Sequence, residues 1–135
     1  MAGNKRTVVR CAVIGAGAIG EDHIRNLQAH PAAQVVAVAE TNEERAKAAC
    51  EKYQIPEWTS DYRILLKRDD IAVVTIALPN YLHAPVALEA LKAGKHVLLD
   101  KPFATNAREA ARVVSAARAA RRVFMAVSYT HLTLP

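Results

Sequence analysis

The chain has 135 residues, 52% of them hydrophobic and 23% charged, and its 18 basic and 13 acidic side chains give a formal net charge of +5. This length suits one domain with a single core and is too short for two domains. No apolar run approaches the roughly 20 residues that a membrane-spanning helix needs. The composition therefore predicts a globular domain with no membrane role.

The amino terminus, the distribution of charge and the two cysteines indicate where the protein is expected to reside and which ligands it is not expected to bind. The segment MAGNKRTVVR lacks a signal-peptide cleavage pattern, which predicts a cytoplasmic protein. Five arginines at helical spacing indicate a solvated helix face rather than a nucleic-acid site, because no aromatic residues are interleaved with them. These are Arg108, Arg112, Arg118, Arg121 and Arg122. Cys11 and Cys50 are expected to be small core residues rather than disulfide partners or metal ligands, and no metal site is predicted.

Strands and helices alternate from the start of the chain. The run TVVRCAVI at 7–14 predicts a buried strand that stops at a glycine. The helix that follows, over 19–30, is predicted by residues that recur at three- and four-residue steps, namely Ile19, His23, Ile24 and Leu27. The next predicted elements are a strand at 34–40, a helix at about 42–53, a turn at Ile55 and Pro56, and a short helix entered through Thr59 or Ser60.

The second half of the chain continues this alternation. A strand is predicted at 71–78, followed by a helix with Pro85 near its first turn and Gly94 at its end. A strand at 95–100 comes next, and then a helix at about 106–121 that opens with a capping box of Asn106 and Glu109. The last predicted element is a strand from Val123. Nearly every strand is apolar along its whole length. This pattern predicts a doubly wound α/β fold, in which helices cover both faces of a mostly parallel sheet.

A glycine-rich turn follows the first strand. The segment VIGAGAIG places Gly15, Gly17 and Gly20 in the pattern G-x-G-x-x-G where the first helix opens. The first glycine permits a tight turn, the second lets the backbone approach a pyrophosphate, and the third allows close helix–strand packing. The N–H groups around Ala18 and Ile19, at the positive end of the helix dipole, suit a diphosphate. The turn therefore predicts dinucleotide binding.

Glu40 ends the second predicted strand, 20 positions after Gly20. A dinucleotide-binding domain places an acid there to accept hydrogen bonds from the adenine ribose. Because a carboxylate also repels a 2′-phosphate, Glu40 favours NAD over NADP. Arg45 lies one helical turn further on and keeps NADP open as the less favoured cofactor.

Further residues are expected at the carboxyl ends of the later strands, where open α/β sheets bind ligands. The candidates are Leu78, Pro79, Asn80, His83, Asp100 and Lys101. Asn80 offers an amide and Lys101 supplies a cation. His83 lies near a helix start and is expected to face the same crevice, with helix capping or packing as the alternative. For Lys101 the alternative is an exposed lysine of a strand-to-helix loop.

The ordered motifs resemble the Gfo/Idh/MocA family, which comprises glucose-fructose, inositol and related sugar or polyol dehydrogenases. The resemblance covers about Val8 to Ala126 and includes VIGAGAIGEDHIRNL, VAVAE, ALPNYLH and ALKAGKHVLLDKPFA. It implies a Rossmann domain of an oxidoreductase that moves a hydride between a sugar, polyol or inositol-type hydroxyl and a nicotinamide cofactor. The family signature Glu-Lys-Pro implies that Lys101 lies beside the nicotinamide and the reacting hydroxyl, with a binding or proton-relay role, which makes Lys101 the candidate catalytic residue. Here Asp100 takes the place of the glutamate.

The resemblance also implies a second α/β domain, with the substrate pocket and much of a homo-oligomer interface, and we expect that domain to be missing from these 135 residues. We therefore expect the chain to bind NAD without catalysing turnover. Two other functions fit the same motifs: an NAD-dependent glycosidase, and a non-catalytic NAD-sensing module with no use for Lys101.

The last nine residues, VSYTHLTLP, raise a separate expectation. They can be back-translated as the end of a transposase-based sequencing adapter read in frame. We expect residues 1–126 to form the dinucleotide-binding domain and residues 127–135 to be largely derived from adapter sequence.

Overall fold

A computed structural model describes residues 7–127, and within them six strands form one parallel sheet. The first elements are β1 (Val9–Ile14), α1 (Ala18–Gln28), β2 (Ala33–Ala39), α2 (Glu43–Tyr53), β3 (Glu57–Thr59) and α3 (Tyr62–Leu66). They are followed by β4 (Val73–Ile76), α4 (Asn80–Lys92), β5 (His96–Asp100), α5 (Ala107–Ala120) and β6 (Phe124–Val127). The strand order is β3-β2-β1-β4-β5-β6. The predicted doubly wound α/β fold is confirmed.

The core lies on both faces of this sheet. Ile14 and Ile76 belong to a cluster that includes Leu91 of α4 and Val113 of α5. The strand residues next to these in sequence point to the opposite face of the sheet. There they pack with residues of α1 and α2, including Ile24 and Ala49. Because successive side chains of a strand point to opposite faces, both sets of positions must be apolar. This explains the continuous apolar runs in the sequence.

Strand β3 was missing from the sequence prediction. It has three residues, and Ala37, Val38 and Ala39 of β2 pair with them in parallel register. Its side chains are half-buried or exposed at the sheet edge, so its sequence lacks the apolar run by which the inner strands were recognised. The predicted short helix after it is α3, which Asp61 caps by accepting a hydrogen bond from the Arg63 N–H at 2.9 Å.

The boundary between β4 and α4 also differs from the prediction. The strand ends at Ile76 rather than residue 78, and the helix begins at Asn80, so Pro85 lies in its second turn instead of its first. Proline lacks the N–H that would bond to the carbonyl of Tyr81. Tyr81 is exposed, and water can serve its carbonyl. The helix therefore continues through Pro85 to Lys92.

The structure also describes the five C-terminal arginines, the cap of α5 and the two cysteines. The five C-terminal arginines are exposed on and after α5. Asn106 caps α5 by accepting from the Glu109 N–H at 2.9 Å, but the Glu109 carboxylate accepts from the Thr105 N–H at 2.8 Å, one residue outside the predicted capping box. Cys11 is buried, Cys50 is half-buried, and both are free thiols.

Over residues 7–127, no helix is both long and apolar enough to cross a bilayer. Val127 is the last residue of β6 and pairs with Asp100. The rest of the expected adapter-derived segment, 128–135, lies outside the described residues.

Candidate functional site

The carboxyl ends of the parallel strands bring most of the candidate residues to one edge of the sheet. They follow β1, β2, β4 and β5 and are Gly15, Gly17, Ala18, Ile19, Gly20, Glu40, Leu78, Pro79, Asn80, Asp100 and Lys101. Strands β1 and β4 are neighbours, and the chain crosses in opposite directions from them to β2 and to β5. Open α/β sheets bind ligands in the crevice at such a switch point.

The three glycines of the turn have different surroundings. Gly15 has φ +102°, and a Cβ there would lie 2.3 Å from the Ala77 carbonyl oxygen. A Cβ on Gly20 would lie 2.0 Å from the Gly15 carbonyl oxygen, whereas one on Gly17 would have no neighbour within 4 Å. Gly15 and Gly20 are therefore required by the fold. Gly17 borders open space, where a side chain would occupy the volume that a ligand needs.

No side chain caps α1, whose N-cap residue is Gly17. Asn42, Asp61 and Asn106 cap α2, α3 and α5, so among the helices of residues 7–127 only α1 and α4 begin without a side-chain cap. These two helices follow β1 and β4, the neighbouring strands between which the switch point lies. Uncapped first-turn N–H groups carry partial positive charge and bind anions.

Glu21, the acidic residue in the first turn of α1, makes its side-chain contacts with α2. The Glu21 carboxylate accepts from the Tyr53 hydroxyl at 2.7 Å and pairs with the Lys52 ammonium at 3.0 Å. These two partners lower the pKa of Glu21. The first-turn N–H groups of Ala18 and Ile19, both exposed residues, fit the phosphates of a dinucleotide.

Glu40 follows β2 directly and is buried, with 9% of its surface exposed. Its Oε1 accepts from the Ala16 N–H and its Oε2 from the Asn42 N–H, both at 2.9 Å. Burial disfavours its charge, but these N–H groups and the Arg45 guanidinium, 3.7 Å away, outweigh burial and lower the pKa of Glu40. Glu40 is thus an ionised carboxylate that holds the glycine-rich turn against the end of β2.

A pocket lies beside Glu40 between the ends of β1, β2 and β3. Its lining consists of Ile14, Gly15, Ala39, Glu40, Thr41, Ser60, Tyr62 and Leu78. Sequence reasoning missed Ser60 and Tyr62 because it missed β3, whose carboxyl end brings them here. Burial, together with the Glu89 carboxylate that accepts from its hydroxyl at 2.9 Å, raises the pKa of Tyr62 to about 12. The pocket wall at Tyr62 is therefore neutral.

The other half of the crevice lies after β4 and β5. Pro79, Asn80 and Lys101 are exposed, and Asp100 is half-buried. Asp100 Oδ1 accepts from the Lys101 N–H at 3.1 Å, and the Lys101–Pro102 peptide bond is cis. An amide and an ammonium are thus presented from the ends of neighbouring strands.

Two histidines lie beneath this surface. His83, expected to face the crevice, is only 3% exposed, and both its ring nitrogens lie against backbone carbonyls. His23 of α1 is fully buried, and in the sequence it stands out only as one of the residues whose spacing predicts α1. Burial lowers the pKa of His23 to about 4, with the carboxylates of Asp100 and Asp22 opposing that shift and His83 adding to it. His23 is therefore neutral at pH 7.

Strand order, glycine-rich turn, uncapped α1 and Glu40 together define a dinucleotide-binding Rossmann domain. Comparison with known proteins agrees: the model of an oxidoreductase family with an NAD-binding Rossmann fold, Gfo/Idh/MocA, matches residues 9–128. The chain belongs to this family, as its motifs predicted.

Curated relatives include dehydrogenases of sugar-like compounds. Inositol 2-dehydrogenase of Salmonella typhimurium (strain LT2) is 39% identical over 110 residues, which are 80% of this chain and 33% of the relative. Levoglucosan dehydrogenase of Pseudarthrobacter phenanthrenivorans is 37% identical over 98 residues, which are 73% of this chain and 25% of the relative. The chain thus spans a third or less of the length of these relatives.

Solved structures with the same fold contain either cofactor. Levoglucosan dehydrogenase in complex with NADH superposes with a TM-score of 0.83 at 32% identity, over 89% of this chain and 34% of that one. A mutant 3-ketoreductase from Actinomadura kijaniata in complex with TDP-benzene and NADP superposes with a TM-score of 0.84 at 36% identity, over 89% of this chain and 38% of that one. The fold therefore accommodates NADH and NADP in different relatives.

Proposed function

We propose that this chain is the NAD-binding part of an oxidoreductase that transfers a hydride between a hydroxyl-bearing carbon of a sugar, polyol or inositol and a nicotinamide cofactor. The observation that carries the proposal is the position of Lys101 and Asn80, at the ends of β5 and β4 beside the uncapped start of α1. The names of the relatives support this substrate class. The rest of the substrate site is proposed to come from the additional length found in those relatives.

The crevice divides into parts that fit successive pieces of the cofactor. The turn at Gly17 and the N–H groups of Ala18 and Ile19 would hold the diphosphate. Glu40 would accept from the adenine ribose while retaining its bonds to the protein backbone, since a carboxylate has about four acceptor sites. The pocket at Tyr62 would take the adenine. The nicotinamide would lie toward Asn80 and supply the hydride acceptor of the reaction.

Lys101 is the proposed catalytic residue. Its exposed ammonium can donate a hydrogen bond to the substrate hydroxyl and orient it. As the hydride passes to the nicotinamide and the hydroxyl proton passes to a base in the proposed rest of the substrate site, the same ammonium would stabilise the negative charge that develops on the oxygen. Lys101 would therefore act mainly in the transition state, and less in holding the cofactor.

Replacing Lys101 tests this proposal in a protein of the relatives' length that carries this domain. Lys101→Ala is expected to lower the rate of hydride transfer by about 100-fold, the lower range for loss of one donor to a developing oxyanion. NAD affinity, measured by calorimetry, should change by less than about threefold. Lys92→Ala, which removes an exposed lysine at the end of α4, is the matched control and should leave both quantities unchanged. A Lys101→Ala protein with the original rate of NADH formation would contradict the proposal.

Glu40 is proposed to make NAD the preferred cofactor, because its ionised carboxylate repels a 2′-phosphate. We expect this chain to bind NAD at least about tenfold more tightly than NADP, a difference of about 1.4 kcal/mol. Glu40→Gln should lower that ratio of affinities, because the amide has no negative charge to repel the 2′-phosphate of NADP. The Arg45 guanidinium, 3.7 Å from the carboxylate in the original chain, would then attract that phosphate. Titration of both cofactors into both proteins is the measurement.

The control for Glu40→Gln is Glu44→Gln, the same change of charge at an exposed position of α2. It should leave the ratio of the two affinities as it is in the original chain. Equal affinities for NAD and NADP in the original chain would refute the assignment of Glu40.

A further inference from the structure

A single buried side chain joins the two loops of the nicotinamide half of the crevice. His83 lies in the first turn of α4, with Nδ1 2.6 Å from the Pro102 carbonyl oxygen and Nε2 2.9 Å from the Leu78 carbonyl oxygen. Leu78 belongs to the loop after β4, and Pro102 to the loop after β5. The neutral ring has one N–H to donate to these carbonyls, and the imidazolium has two.

The two carbonyls that His83 contacts lie close in sequence to the residues proposed to meet the nicotinamide and the substrate. Pro102 directly follows Lys101, and Leu78 lies two residues before Asn80. The exposed side chains proposed to meet nicotinamide and substrate thus each lie within two residues of a backbone group that His83 contacts. We propose that His83 is a positioning residue that sets the separation between Asn80 and Lys101 without contacting the cofactor. This inference rests on the proposed function.

The geometry limits the expected effect to one end of the cofactor. The glycine-rich turn and Glu40 are held by a different hydrogen bond, from the Ala16 N–H to Glu40 Oε1. Loss of the His83 bridge therefore leaves the proposed diphosphate and adenosine contacts in place. A merely structural role would instead weaken every part of the site, because all of its loops depend on the same sheet.

Two ligands distinguish these possibilities in the 135-residue chain. ADP-ribose contains the adenosine, the diphosphate and the second ribose of NAD but lacks the nicotinamide. His83→Leu is expected to weaken NAD binding by about fivefold or more, the equivalent of one lost hydrogen bond, and ADP-ribose binding by less than about twofold. His83→Gln should recover part of the NAD affinity, because its amide can donate to one of the two carbonyls. Calorimetry with both ligands on all three proteins is the measurement.

Each other outcome has a definite meaning. Equal losses for NAD and ADP-ribose, or no loss for either, would overturn the positioning role while leaving the proposed function intact. Failure of the original chain to bind either ligand would instead refute the proposed function itself. If circular dichroism indicates that His83→Leu does not fold, the same comparison is made with His83→Gln, whose selective loss of NAD affinity supports the inference and whose equal losses overturn it.

Discussion

Gly20→Ala is expected to destabilise the chain by about 3 kcal/mol or more, a large fraction of the stability of a small domain. The added Cβ would lie 2.0 Å from the Gly15 carbonyl oxygen, which is backbone and has no rotamer to change. Relief of this contact requires α1 to move away from the turn, and Ile24 of α1 is fully buried in the core. Urea denaturation followed by circular dichroism measures the loss.

Gly17→Ala is the matched comparison, because it adds the same methyl group two residues into the same motif. Its Cβ would meet nothing within 4 Å, and Gly17 has a negative φ of −76°, which alanine adopts without strain. The unfolding free energy should fall by less than about 1 kcal/mol. NAD affinity should fall by about tenfold or more, since the methyl group occupies the proposed diphosphate site.

The two glycine variants test separate claims. A Gly20→Ala chain as stable as the original would contradict the requirement for close packing between the turn and α1. A Gly17→Ala chain that binds NAD with the original affinity would place the diphosphate elsewhere.

Acidification from pH 6.5 to pH 4 is expected to lower the unfolding free energy by about 3 kcal/mol through His23 alone. In the folded chain, burial lowers the pKa of this histidine from 6.5 to about 4. Between these values the unfolded chain binds a proton that the folded chain does not, so stability falls as the pH falls. The contribution of His23 levels off within about one pH unit above 6.5 and below 4.

His23→Leu isolates this contribution, because it removes the titrating group and leaves the carboxylates that also respond to acid. Urea denaturation of both proteins at several pH values between 4 and 7 gives the two slopes. The slope of the original chain should be steeper than that of His23→Leu. Parallel slopes would mean that His23 titrates in the folded chain as it does in the unfolded one.

Local patterns in the sequence predict the fold class and the residues of the proposed cofactor site. Apolar runs and helical periodicity depend on neighbours within a few residues, so they identified the inner strands and most helices. The spacing of Gly15, Gly17 and Gly20 located the turn, and the distance to Glu40 located the end of β2. These features are local or lie within one βαβ unit, and a linear pattern can record them.

The contacts of the buried polar residues could not be predicted from local sequence patterns. Glu40 bonds to Ala16, 24 positions away, and His83 to Pro102, 19 positions away. Strand β3 forms because it pairs with β2 at the sheet edge, and its own three residues carry too little apolar pattern to predict it. Sequence patterns record the period of an element and the chemistry of its turns. The partners of a buried group depend on which loops the sheet brings together, and that is set by the packing of the whole chain.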